Sequence, residues 1–204
     1  MSESKVNKIS PATGTAFTLG DSGDTFTVPS GATILNSGTA TGFGAGGKVL
    51  KVEHTRWNGS SSYTGTSYSA TPLTNFQVAI TPTATTSNIL IIAVLNLCSN
   101  NETDHVYAKM YRDAVQINMG DQIGSSRSRV MWNQKMGSNL GNENPEPILY
   151  YDHEIATTSS TTYSFQIATA SGVTAYFNTT NVGTDAAYLG DTSSTIMAIE
   201  FAPN

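Results

Sequence analysis

Between residues 75 and 98 the apolar positions change rhythm. Phe76, Val78 and Ile80 alternate with Gln77, Ala79 and Thr81, the pattern of a strand with one buried face. After the polar connection PTATTS, residues 89–95 are almost continuously apolar. Such a run predicts a strand buried on both faces, at the centre of a sandwich or against another subunit.

Shorter alternating runs predict strands at 48–57, 105–112, 128–134, 148–155, 162–169, 175–178 and 195–201, and 114–117 continues the second after Asp113. Val106, Ala108 and Met110 face one way, and Tyr107, Lys109 and Tyr111 the other. Tyr163, Phe165 and Ile167 share a face, as do Met197, Ile199 and Phe201. Polar stretches at 58–70, 120–127 and 137–147 read as loops, the last two as a contact surface flanking Met131 and Trp132. Short alternating strands between polar turns predict an all-β, antiparallel β-sandwich or jelly roll.

Residues 1–45 have a different character. Short extended pieces at 15–19 and 24–28 are separated by turn residues 20–23, and Pro29-Ser30-Gly31 forms another turn. Phe17, Leu19, Phe26 and Val28 are too few to close a core alone. Fixing one residue's backbone costs about 1–2 kcal/mol, and one large buried side chain returns roughly 1.5–3 kcal/mol. This extended β segment therefore needs a partner: it is either disordered until bound, or an anchor or stalk ordered by neighbouring chains. The run GTATGFGAGG at 38–47 then reads as a hinge, dividing the chain into an anchor segment, 1–45, and a head domain, 46–204. It formally contains G-x-G-x-x-G, but a strand follows where a phosphate site needs a helix N-terminus.

Composition narrows the function. Only 12% of the 204 residues are charged, so Ser, Thr, Asn and Gly supply most of the polar surface, which favours strands and turns. A net charge of -5 without a basic stripe argues against nucleic acid or an anionic membrane as partner. The segment 89–95 is far shorter than the roughly 20 residues of a membrane span, and MSESKVNKIS lacks the apolar core of a secretory signal. Synthesis in the cytoplasm of the producing cell is expected. Cys98, the single cysteine, sits on the apolar strand and reads as a small buried hydrophobe.

No catalytic or metal motif stands out, and no cofactor is expected. In Asp152-His153-Glu154 the carboxylates share one strand face and the imidazole the other, which suits a solvated strand end better than a ligand set. His54 and His105 are isolated, and no Gly-x-Ser-x-Gly occurs. A carboxylate-only hydrolase would draw on Glu53, Asp121, Asp152 and Glu154, among which nothing singles out a pair. Trp57, Tyr63, Tyr68 and Trp132 offer flat aromatic faces that suit saccharide stacking.

The block TPLTNFQVAITPTATTSNILIIAVLN with the later YRDAVQINMGD, LYYDHEIATTSSTTYSFQIATASGVTAYFNTT and AAYLGDTSSTIMAIEF resembles a domain of tail-fibre and other virion appendage proteins of marine tailed bacteriophages. The N-terminal ISPATGTAFTLGDSGDTFTVPSGATILNSGTATGFG is similar to segments that precede variable distal domains in phage fibre-like proteins. The resemblance implies a homotrimer with a jelly-roll head akin to those of tumour necrosis factor and complement C1q. It implies a short fibre, spike or capsid-decorating appendage of the virion, not an enzyme. Trimer packing would then bury Phe17, Leu19, Phe26 and Val28, residues 1–45 would attach to other virion proteins, and Met197, Ile199 and Phe201 would line the threefold interface. The alternative is a tail-fibre head that binds host-surface glycans through Trp57, Tyr63, Tyr68 and Trp132, or, further off, a polysaccharide depolymerase.

Overall fold

The computed structural model describes residues 21, 23–25, 27–32, 48–101, 104–135, 143–153, 155–181 and 189–202. The chain divides into two units, Met1–Phe43 and Gly44–Asn204. In the first, Asp24 N donates to Asp21 O at 3.0 Å and Asp21 N donates to Asp24 Oδ2 at 2.8 Å. Gly23, at φ +97°, closes this turn in a region that L side chains avoid. A second turn joins Ala32 N to Pro29 O at 3.1 Å. Residues 24, 25, 27 and 28 are not in a strand. Val28 is exposed, whereas Phe17, Leu19, Phe26 and the glycine run 38–47 lie outside the described residues.

The second unit is all-β, two antiparallel sheets packed face to face as a jelly-roll-like sandwich. Its strands are β1 (Val49–Trp57), β2 (Ser61–Thr64), β3 (Val78–Ile80), β4 (Asn88–Ser99), β5 (His105–Arg112), β6 (Val115–Ile117), β7 (Trp132–Lys135), β8 (Asn144–Asp152), β9 (Thr161–Thr169), β10 (Thr174–Phe177) and β11 (Ser194–Phe201). The six-stranded sheet runs β1-β11-β4-β10-β2, with β8 also paired to β4. The five-stranded sheet runs β3-β9-β5-β6, with β7 also paired to β5. The two strands of the 75–98 segment therefore part company, β3 to one sheet and β4 to the other.

The apolar rhythm builds the core between the sheets. From β4 come Ile89, Ile91, Ala93, Leu95 and Leu97; facing them are Val106, Ala108 and Met110 of β5 and Tyr163, Phe165 and Ile167 of β9, all buried. Phe76, just before β3, packs on Phe165 with ring centroids 5.2 Å apart and on Trp57 at 6.5 Å. Each such side chain contributes roughly 1.5–3 kcal/mol of burial.

Several expectations change. Residues 61–64, read as loop, form β2, because pairing with β10 and a 2.6 Å hydroxyl contact between Thr64 and Thr174 hold a segment with one apolar side chain. The start of β8, Asn144 to Pro147, was also expected as loop. Its prolines fit because β8 pairs with β4 alone among the described residues, so the missing N–H groups fall on the free edge. The strand expected at 128–134 forms only from Trp132.

Most consequential is β4 itself. It is central by pairing, flanked by β8 on one edge and by β11 and β10 on the other. Yet only one of its faces is buried within the chain: Ile92 on the other is 42% exposed, with Leu90 and Val94 partly covered.

Candidate functional site

The outward face of the six-stranded sheet carries the first surface of interest. Register places Val52, Ile199, Leu90 and Tyr151 in one row across β1, β11, β4 and β8. The next row holds His54, Met197, Ile92 and Leu149. Leu149 is 70% exposed, and Val52 and Tyr151 are each 50% exposed. Met197, Ile199 and Phe201 share this outward face, while the intervening Ile196, Ala198 and Glu200 turn into the sandwich. A contiguous apolar surface across four strands is unusual for a monomeric domain and marks a contact surface.

The opposite, five-stranded sheet carries a cleft of about 400 Å3. Its floor is a single cross-strand row, Ala168 of β9, Tyr107 of β5 and Asn133 of β7. One wall comes from Thr66 and Tyr68, ahead of the 3-10 turn Thr71–Leu73, and the other from Ser126, Arg127 and Ser128 of the loop between β6 and β7. That loop is tied down: Arg129 Nε donates to Gly120 O at 2.9 Å, Gln116 Nε2 donates to Arg129 O at 2.8 Å, and Met131 N donates to Ala108 O at 2.8 Å. The Lys109 ammonium sits over the Tyr68 ring, 3.9 Å from its centroid, and His105 stacks on Tyr107 with centroids 5.9 Å apart. Burial pushes the Tyr68 hydroxyl above its ordinary pKa, against the opposing hydrogen bond to Ser128, so it stays a neutral phenol.

The aromatic platform expected of Trp57, Tyr63, Tyr68 and Trp132 does not form. Trp57 is 6% exposed in the core, between Phe76 and Phe177, because it closes β1 on the inward face. Tyr63 and Trp132 pack against that core, and only Tyr68 lines the cleft. Its true neighbours, Tyr107 and Arg127, were legible only as an outward position of β5 and a polar loop.

Asp152 is likewise not a solvated strand end. It is buried, its oxygens 2.9 and 3.0 Å from Arg112 Nη1, and Oδ2 accepts from the Tyr163 hydroxyl at 2.6 Å. The partner lies 40 residues away on the other sheet, out of reach of local pattern. Glu53 pairs with Lys51 at 3.1 Å, Asp121 is exposed, and Glu154 lies outside the described residues. Among the described residues no three His, Cys, Asp or Glu side chains converge as a metal site.

No family model and no curated protein matches the chain. What it does must therefore be read from the apolar face and the cleft.

Proposed function

We propose that the chain is a non-enzymatic structural protein of a tailed-bacteriophage virion, a short fibre, spike or capsid-decorating appendage that assembles as a homotrimer. Residues 1–45 attach it to other virion proteins and the β-sandwich projects as the head. The observation that carries this reading is the outward apolar face on β1, β11, β4 and β8. Leaving Leu149, Ile92, Val52 and Tyr151 in water forfeits roughly 25 cal/mol for each Å2 that a second copy would cover. A second copy of the same face supplies matching apolar surface, and the resemblance of the sequence to virion appendage proteins gives the assembly its setting. Met197, Ile199 and Phe201, on the inner strand β11, belong to this face; Leu149, Ile92 and Val52 extend it.

Light scattering on the purified chain tests the reading. Three protomers are expected, and the double substitution Ile92→Glu and Leu149→Glu should yield folded monomers with an unchanged circular dichroism spectrum. A wild-type chain that runs as a monodisperse monomer overturns the assembly. A second reading, a head that attaches to host-surface glycans, is favoured by the cleft on the other sheet, which the apolar face leaves free.

A further inference from the structure

We propose that the cleft over Tyr107 is a binding site for a carboxylate-bearing saccharide, with Arg127 as the group that receives the carboxylate. The proposal deepens the attachment reading and is independent of the number of protomers.

The chemistry follows from what lines the cleft. Tyr107 and Tyr68 give flat apolar surface of the kind that packs against the C–H face of a sugar ring. Around them stand Thr66, Ser126, Ser128 and Asn133, neutral groups that donate and accept, the complement of a ligand dense in hydroxyls. A peptide or a lipid would call for more apolar depth than this lining offers. The volume of about 400 Å3 falls within the roughly 300–1,000 Å3 of small-ligand sites.

The charge selects among saccharides. Among the described residues Arg127 is the one charged side chain lining the cleft, it is exposed, and no ion pair engages it. Its planar guanidinium matches a carboxylate with two parallel hydrogen bonds. Asp121 lines the smaller neighbouring cavity of about 150 Å3, which Arg127 also borders, and is not among the residues lining the main cleft. The walls are set before any ligand arrives. Lys109 holds Tyr68, His105 holds Tyr107, and the hydrogen bonds of Arg129, Gln116 and Gln122 hold the loop that carries Arg127. A preorganised site of this kind avoids the ordering cost of binding.

The test is a glycan array bearing uronate- and sialate-containing oligosaccharides, each beside its carboxyl-reduced neutral counterpart, followed by titration of the best-retained acid. Wild-type protein should retain acidic glycans and bind the reduced counterparts about tenfold or more weakly, the loss of one charge-assisted pair. Arg127→Gln should bring the acid down to the level of its reduced form and leave the melting temperature unchanged, since Arg127 is exposed. Tyr107→Ala should weaken both. Retention of neutral glycans equal to that of the acids, or binding indifferent to Arg127→Gln, overturns the carboxylate assignment and leaves the attachment reading standing. Retention of no glycan overturns both.

Discussion

The Tyr163 hydroxyl of β9 donates a 2.6 Å hydrogen bond to Asp152 Oδ2 of β8, and so joins the two sheets by a buried polar contact. Arg112 of β5 completes the cluster from the same side as Tyr163, with Nη1 within 3.0 Å of both carboxylate oxygens. Removing the charge leaves Arg112 facing a neutral amide. Asp152→Asn should cost about 2–4 kcal/mol in denaturant unfolding, below the full cost of a wholly buried pair because the Arg112 side chain is partly in water. Tyr163→Phe, which leaves the ion pair intact, should cost less, about 1.5–3 kcal/mol. The reverse order would show that the hydroxyl, not the charge, holds the sheets.

Glu200 gives acid sensitivity. Burial alone would raise its carboxyl, but Oε1 accepts from the Ser87 hydroxyl and from the Thr83 hydroxyl and N–H at 2.6–2.7 Å, and these hold it below the ordinary value. A depressed carboxyl stabilises the fold above its unfolded pKa, about 4.3, and loses that contribution as pH falls through the folded value. Glu200→Gln should therefore cost about 1.5–3 kcal/mol at pH 7, with the gap to wild type closing towards pH 3. A gap independent of pH would refute the linkage.

Glu146 has the opposite sign. Desolvation raises its carboxyl above the ordinary value, against a lowering hydrogen bond with Gln134. A raised carboxyl favours the fold most below its unfolded pKa and weakens it as pH rises towards the folded value. Glu146→Gln should raise the melting temperature at pH 7 and leave it unchanged near pH 3. Thermal scans at both pH values decide it.

Alternate positions of β11 should separate folding from assembly. Ile196 is fully buried in the sandwich, so Ile196→Ala should destabilise the protomer by about 2–5 kcal/mol. Ile199 is on the outward face and only partly buried, and Ile199→Ala should cost the protomer less than Ile196→Ala while raising the concentration at which the proposed trimer dissociates. Sedimentation over a dilution series, alongside urea unfolding, reads the two effects apart.

Cys98 should be inert in the folded protein. It is buried, its thiol donates to Thr179 O at 3.5 Å, and burial pushes its pKa up to about 11, which leaves little thiolate at neutral pH. Labelling with an aromatic disulfide at pH 7.5 should follow the rate of unfolding, and prompt labelling without urea would contradict the burial.

The fold was legible because period-two alternation is a local signal. Phe76, Val78 and Ile80, or Tyr163, Phe165 and Ile167, declare their inward face without reference to any partner. Residues 61–64 did not, since Thr64 is held as strand by Thr174, 110 residues away. The apolar face was half legible. The run 89–95 announced that both faces of β4 seek cover, but Leu149 and Val52 join it only through register. The cleft was least legible, because Tyr68, Tyr107 and Arg127 come from three separate segments with no shared spacing. Asp152 misled for the same reason, its cation arriving from another sheet.

Pro145 and Pro147 occupy successive positions on the free edge of β8, beside the most exposed part of the apolar face. An edge lacking consecutive N–H donors is a poor template for a further strand. Beside a surface that invites contact, this blocks the commonest unwanted outcome, the open-ended ribbon in which each copy extends its neighbour's sheet. Copies that meet on that side have only side chains to meet through.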